Sequence, residues 1–448
     1  MSPPRVAVVG GGWAGLAAAV ELAYAGAEVT VLEAAKQVGG RARRVPFAEL
    51  CVDNGQHLMI GAYRETLRLM RLVGVKEAST FARAPLELRV REPEGPGLHL
   101  AAPRLPAPLH LVAALARARG LSLGERWHAL RLCLQLARSG FQLPRDESVA
   151  ELLARHRQPH RLRELLWEPL CLATLNTHAE HASAQVFLRV LHEGLARRRS
   201  DSDLLYHRTD LGEAFPVHAR DFIERYGGSV RLGQRVSGVV ARGDALRGVR
   251  VGNETLDADH VVLAVPPYAL QHLAPEAGPL QKLARELANW PHEPICTVYL
   301  RYPEEVTLGR PMLGLSGGIG QWAFDRALYG QEGLIAVVVS GNGPHLALDN
   351  ARLAAEVGAQ LARLHPAWPA PGEHLVIREK RATFRCSVDI DRRRPGPQGP
   401  LAGCWLAGDY TATRYPATLE GAVASGVQCA RAILTTARAE GPAREAHT

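Results

Sequence analysis

What the chain has little of bounds it first. Its 448 residues hold seven cysteines (Cys51, Cys133, Cys171, Cys296, Cys386, Cys404 and Cys429), an odd, scattered set with no C-x-x-C pair. That pattern excludes a disulfide framework and a thiolate zinc site, so reduced thiols and no metal are expected. No apolar run is long enough to span a bilayer, and Met-Ser-Pro-Pro-Arg leads straight into a strand without a secretory apolar region, so a cytoplasmic, non-spanning protein is expected. Internal repeats and low-complexity tracts are also missing. With 47% apolar residues over this length, the chain can bury a large core and divides into two domains.

Charge is present in excess, at a formal +8, but total charge alone selects neither nucleic acid nor membrane. Its distribution says more. Between Ala101 and Arg138 stand Arg104, Arg117, Arg119, Arg126, Arg131 and Arg138 with Glu125 as the one acid, interleaved with leucine, alanine and Trp127. Basic and apolar together suit a surface that meets anionic lipid. An amphipathic helix pair covering a domain reads the same way, and both readings stay open. No nucleic-acid recognition motif accompanies the charge.

The opening RVAVVGGGWAGLAAAVELAYAGAEVTVLEA reads as strand, glycine turn, amphipathic helix and second strand, one βαβ unit. From about Thr80 to Asp203 the pattern is mostly helical. Strand-like stretches return at Ser229 to Val240, Ala245 to Val251 and His260 to Val265, closed by Pro266-Pro267. A mixed stretch runs from Leu270 to Asp389, and the proline-rich segment 394–400 leads out of it. Cys404 to Gly408 is a last strand and Gly421 to Leu434 a last helix. The expected fold is α/β: a Rossmann-type domain from residues 1–78, 206–270 and 395–440, with an inserted α+β substrate domain from 79–205 and 271–394.

Gly10, Gly12 and Gly15 form G-x-G-x-x-G between strand and helix, with Glu33 about twenty residues on. Gly10 permits the tight turn, Gly12 lets backbone approach a pyrophosphate, and Gly15 lets the helix pack close to the strand. Glu33 can accept from ribose hydroxyls and would repel a 2′-phosphate. Trp13 and Ala14 open the helix whose N-terminus faces the phosphates. Gly39-Gly40-Arg41 then places a guanidinium after the second strand, where it can grip a pyrophosphate. That points to FAD, held noncovalently; Cys386 is the one thiol worth checking for attachment.

Gly40-Arg41, the stretch Asp53-Asn-Gly-Gln56-His57 and Gly408-Asp409 resemble the FAD-dependent amine oxidase and phytoene desaturase superfamily. The resemblance implies that Asp409 binds the ribitol chain, that the helix start Ala417-Thr418-Leu419-Glu420-Gly421-Ala422 points at the flavin, and that the Val236 backbone meets adenine. A helix N-terminus there would stabilise negative charge on reduced flavin. Residues 53–66, Trp167-Glu-Pro-Leu-Cys-Leu-Ala-Thr-Leu-Asn-Thr177 and Gly408-Asp-Tyr-Thr resemble, over nearly the full chain, the hydroxysqualene dehydroxylases of bacterial hopanoid biosynthesis. What that implies is removal of an allylic hydroxyl from hydroxysqualene by reduced FAD, giving squalene and water. It also implies an apolar mouth turned to the inner face of the cell membrane.

The departing hydroxyl needs an acid. His57, Glu168, Asn176 and Tyr410 are the polar groups within the family-like stretches. His57 reads equally as a structural histidine, Glu168 and Asn176 as groups that stabilise the turn around Pro169, and Tyr410 as packing against flavin. No second complete glycine fingerprint follows a strand, and Gly317-Gly-Ile-Gly320 lacks the spacing. Electrons are therefore expected from an outside reductase or a visiting nicotinamide. A carotenoid or phytoene desaturase-like oxidase and a noncatalytic flavoprotein scaffold are the rival readings.

Overall fold

The computed structural model describes residues 3–274 and 278–445. Its first sheet has five parallel strands in the order Ser229–Arg231, Glu28–Leu32, Arg5–Val9, His260–Leu263 and Cys404–Leu406. Strands of this kind are covered on both faces, which is why they read as continuous apolar runs such as Val6-Ala-Val-Val9. All four residues of His260–Leu263 are buried.

Helix Trp13–Tyr24 packs on this sheet and is itself covered by the C-terminal helix Leu419–Glu445. The two helices touch backbone to backbone at Gly426, where a Cβ would lie 2.1 Å from the Ala14 carbonyl oxygen. That last helix begins two residues before the expected Gly421, because Thr418 Oγ1 accepts from Gly421 N at 3.1 Å and caps its start.

A second sheet has seven strands in the order Glu373–Phe384, His292–Arg301, Leu334–Ser340, Trp322–Asp325, Met312–Leu315, Glu87–Arg91 and Leu98–Ala101. Its pairings are antiparallel except between Met312–Leu315 and Glu87–Arg91. Strand periodicity divides its two faces cleanly along Leu334–Ser340. Ile335, Val337 and Val339 pack under helix Asn350–Leu364, while Leu334, Ala336 and Val338 join the large core cluster on the other side.

The segment read as mostly helical from Thr80 begins instead with strands Phe81–Ala84, Glu87–Arg91 and Leu98–Ala101. Their alternation is short and interrupted by Pro85 and the turn at 93–97, so it does not stand out from the helical pattern beyond. Helices Leu109–Ala116, Leu123–Arg138 and Val149–Arg155 follow, the last two started by capping boxes at Ser122/Glu125 and Ser148/Glu151. Two π-helical turns, Arg163–Trp167 and His192–Ala196, interrupt the later helices.

Candidate functional site

The glycine turn behaves as its spacing requires. Gly10 has φ +111°, and a Cβ there would lie 2.6 Å from the Ala264 carbonyl oxygen; a Cβ at Gly15 would lie 2.0 Å from Gly10 O. Both glycines are fixed by backbone that cannot yield. Gly12 differs, since a Cβ there would meet only Gly40 Cα, at 3.8 Å. It leaves backbone open to the cavity, and helix Trp13–Tyr24 starts at Gly12 with no side-chain cap. The unpaired N–H groups of that helix start, beside Gly12, Trp13 and Ala14 on the cavity wall, form an anion site. Trp13 Nε1 donates to Ala42 O at 3.2 Å, tying the helix start to the Gly39–Ala42 loop.

Glu33 reaches back over the turn: Oε2 accepts from Gly11 N at 2.6 Å and Oε1 from Ala35 N at 2.7 Å. Arg41 does not stand free for a phosphate. Its Nη2 donates to Asp409 Oδ1 at 2.8 Å and its Nη1 to Ala382 O at 2.5 Å, joining the two ends of the chain across the cavity. Arg394, almost fully buried, holds the other side of that join by donating to Asp409 O at 2.9 Å, Tyr415 O at 2.6 Å and Thr413 Oγ1 at 3.2 Å. Val236, Gly408, Thr418 and Leu419 line the same cavity. Glu420 lies behind them, fully buried, accepting from Glu65 N, Thr66 N and Thr66 Oγ1 at 3.0, 3.0 and 2.7 Å. Burial pushes its carboxyl above the usual range.

A single cavity of about 1770 Å³ runs from this cradle to the helices of the inserted segment. Pockets for one small ligand span roughly 300–1,000 Å³, so this one has room for a dinucleotide and a second large molecule. Away from the cradle its walls are Leu86, Leu88, Leu111, Leu130, Leu166 and Leu170, with Val338 and Phe324 contributed by the seven-stranded sheet. It opens at helix Leu123–Arg138, where Trp127, Arg131, Leu134 and Arg138 form one exposed stripe at spacings of four, three and four. Six of the ten exposed large apolar side chains among the described residues lie between Leu105 and Leu134, Leu123 and Trp127 being 80% and 64% exposed. That concentration marks the mouth as an interaction surface. The arginines there are not equivalent: Arg126 donates to Leu121 O and Ala116 O, closing the turn between the two helices instead of facing outward.

The four polar groups named from the sequence fare differently. Glu168 pairs with Arg163 at 2.9 Å and is absent from the cavity wall. It opens the helix Glu168–Leu175 directly after the π turn Arg163–Trp167, and its partner Arg163 lies within that turn. Tyr410 is buried; its ring lies against Gly408, where a Cβ would come within 2.5 Å of it. Burial, then Asp409 and the Cys404 and Cys429 thiols, hold its phenol well above the usual range, and its hydroxyl has no hydrogen-bond partner. Tyr410 nonetheless lines the cavity, so its ring packs against Gly408 at the wall while its hydroxyl is held by no protein partner among the described residues. His57 does line the cavity, but its Nδ1 donates to Gly55 O at 2.7 Å and burial keeps the ring below its ordinary pKa. The neutral ring thus presents a bare Nε2, an acceptor. Asn176, at φ +48°, donates to Thr383 Oγ1 at 3.0 Å and accepts from Gly341 N at 2.8 Å, locking the helix end to the sheet.

Gln56 is engaged by the neighbouring His57 carbonyl and by two groups the sequence did not single out, Arg326 and Tyr329. Its Oε1 accepts from Arg326 Nη1 at 2.7 Å, and its Nε2 donates to His57 O and Tyr329 Oη, each at 3.1 Å. Arg394 and Arg326 carry no local signal, since arginine in polar loops reads as surface, and Glu420 entered only as part of the helix start 417–422, with no sign of its burial against Thr66. Each finds its partner only through the fold.

Glycine turn, uncapped helix start, acid over the turn and a long apolar annex together define an oxidoreductase that binds a dinucleotide beside a lipophilic substrate. Residues 13–434 match the family of flavin-containing amine oxidoreductases, and the chain belongs to that family as an FAD-dependent enzyme. It is 28% identical to a hydroxysqualene dehydroxylase of Rhodopseudomonas palustris, over 97% of this chain and 99% of that protein. A 15-cis-phytoene desaturase of Synechococcus elongatus is more distant, at 23% over 96% of both chains. Among solved structures, an oxidoreductase from Methanosarcina mazei superposes with a TM-score of 0.76 at 14% identity, covering 96% of this chain and 99% of that one. The residues present fit the cofactor: the cradle has open backbone where phosphate must approach, and donors without partners at the helix start.

Proposed function

We propose that the protein is an FAD-dependent hydroxysqualene dehydroxylase, converting hydroxysqualene to squalene and water in hopanoid biosynthesis. The observation that carries this reading is the single cavity of about 1770 Å³ joining the nucleotide cradle to apolar walls and a basic, apolar mouth. When bound and reduced, FAD supplies a hydride to the allylic carbon, and the hydroxyl takes up a proton as it leaves. The chain's own part is to hold the two ligands together and exclude water. Gly10, Gly12, Trp13, Ala14 and Gly15 form the phosphate end; Glu33 meets ribose; Gly40, Arg41, Gln56, Val236, Gly408, Asp409, Thr418 and Leu419 surround the remainder. Of these, Gly15 acts from behind the wall, which it does not line.

The division into an FAD-binding domain (1–78, 206–270, 395–440) and a substrate domain (79–205, 271–394) belongs to the same proposal. It is supported by the five parallel strands falling in the first set and the seven-stranded sheet in the second. Among the described residues no helix is long and apolar enough to cross a membrane. The exposed Trp127/Leu134 stripe flanked by Arg131 and Arg138 supports peripheral docking on the anionic inner face of the membrane. The described residues form one five-stranded nucleotide sheet, which supports delivery of electrons by an external donor. Cells that make hydroxysqualene provide the test: squalene should accumulate only when this protein is present, and unchanged hydroxysqualene would refute the reading.

A further inference from the structure

The largest fully buried side chain among the described residues is a cation, Arg326, at 0% exposure. It stands in the turn Arg326–Tyr329 after strand Trp322–Asp325, outside the cavity wall. Its Nη1 donates to Asp53 Oδ2 at 3.0 Å and to Gln56 Oε1 at 2.7 Å, and its Nε to Gln331 Oε1 at 2.7 Å. The Tyr329 ring lies 3.5 Å from Cζ, and Nη2 has no hydrogen-bond partner.

We propose that Arg326 is a positioning residue for the flavin reaction: through Asp53 and Gln56 it holds Asn54, Gly55, Gln56 and His57 as a fixed polar wall of the cavity. These four residues line the cavity, whereas Arg326 and Tyr329 stand behind them. The segment is pinned from three directions. Asp53 Oδ1 accepts from Leu211 N at 2.7 Å, Asp53 O accepts from Tyr299 Oη at 2.8 Å, and Arg326 grips the Asp53 carboxylate and the Gln56 amide together.

A buried ion pair is a poor device for stability alone, since well-packed apolar residues serve as well or better. What a guanidinium adds is a rigid planar fork of donors that fixes the direction of each acceptor, whereas the three donors of an ammonium rotate freely. Because Arg326 can only donate, it forces Oε1 of Gln56 inward and leaves Nε2 to the His57 carbonyl and Tyr329 hydroxyl. The Gln56 amide therefore has one orientation, and the His57 backbone beside it one position. Releasing that grip frees the wall without opening the core.

The test uses holoenzyme carrying Arg326→Lys, Gln56→Leu, or both. Arg326→Lys keeps the charge facing Asp53 and loses the fork; Gln56→Leu keeps the Asp53–Arg326 pair and cuts the link to the wall. Each single variant is expected to retain FAD, to shift the visible absorbance band of bound flavin, and to lose at least tenfold in kcat with KM changed less than threefold. The double variant is expected to be no worse than the poorer single one, because both cut the same link. Losses that multiply to a hundredfold, an unshifted flavin band, or wild-type kcat in either variant would overturn the proposal. Where Arg326→Lys does not fold, Gln56→Leu carries the test alone. The kinetic arm rests on the dehydroxylase reading, and wild-type enzyme inert toward hydroxysqualene would sink that reading while the flavin band still reports on Arg326.

Discussion

The nucleotide cradle and the apolar annex are two ends of one cavity, built on opposite principles. The cradle is shaped by backbone: Gly10 and Gly15 stand where a Cβ would strike carbonyl oxygens, and Glu33 closes the turn with two short hydrogen bonds. The annex is shaped by side chains from distant segments, with Leu86, Leu130, Leu170, Phe324 and Val338 meeting around space none of them defines alone. Geometry at the first end is narrowly constrained because backbone carbonyls cannot yield to a Cβ and hydrogen bonds are directional. At the second, any apolar set of suitable volume would do, since burial is non-directional. Substitutions should therefore be severe and local in the cradle, and graded in the annex.

The largest effect expected of any single change is at Gly15. Gly15→Val must displace the Gly10 carbonyl, and we expect it to remove bound FAD and to destabilise the fold by about 3 kcal/mol or more. Flavin content and thermal unfolding report both, and a yellow, stable variant would erase the contrast. At the mouth the expectation is additive. Reversing the charge of Arg117, Arg131 and Arg138 together should weaken binding to anionic vesicles by about 3 kcal/mol, at about 1 kcal/mol each. Reversing Arg126, whose guanidinium is held by Leu121 O and Ala116 O, should instead lower thermal stability. Flotation that ignores the triple change and added salt would leave the mouth without its lipid partner.

Back in the cradle, Glu33→Ala should weaken FAD binding by about 2 kcal/mol, the scale of losing charge-assisted hydrogen bonds. Titration of apoprotein measures this, and unchanged affinity would mean that Glu33 serves only the turn. The smallest effect expected lies in the buried polar layer between the two ends. His207, fully enclosed with neither ring nitrogen partnered, is pulled down to about 3 by burial, then by His57 and Arg326. The folded protein keeps this ring neutral, while the unfolded chain takes up a proton below its ordinary pKa of about 6.5. Its contribution to stability is therefore present above pH 6.5 and lost as pH falls toward 3. Stability should drop by about 1 kcal/mol between pH 6.5 and 5.5 on this account, and His207→Leu should flatten that limb of the denaturation curve. An unchanged slope would assign the acid sensitivity elsewhere.

The same contrast explains what could be read from the sequence. The glycine turn, Glu33 and the two strands around them are contiguous, so spacing alone identifies them. Gly40-Arg41, Asp53 to His57 and Gly408-Asp409 were found because short stretches resemble a known family. Yet the resemblance did not show that Arg41 and Asp409 face each other, 368 residues apart. Asp53 and Arg326 are separated by 273 residues, Thr66 and Glu420 by 354, and neither pair leaves a periodic or compositional trace. Where Tyr410 and Glu168 stand was hidden for a related reason: Tyr410 lines the cavity, whereas Glu168 pairs with Arg163 away from it. Their place in a motif fixes the backbone, while the direction of the side chain depends on Gly408 and on a π turn that the sequence does not announce. The basic helices between Leu109 and Arg138 were visible as a pattern, but only the fold shows Trp127, Arg131, Leu134 and Arg138 on one stripe beside the opening.

The central claim is that both ends of the cavity serve one reaction, in which electrons pass from flavin to a hydroxylated hydrocarbon. Photoreduced enzyme mixed anaerobically with hydroxysqualene tests it most directly. The flavin absorbance should return within the time of one turnover, with one squalene formed per flavin, and squalene itself should leave the spectrum unchanged. Reduced flavin that persists with hydroxysqualene, or oxidised flavin that bleaches with phytoene, would contradict the claim and reverse the direction of electron flow.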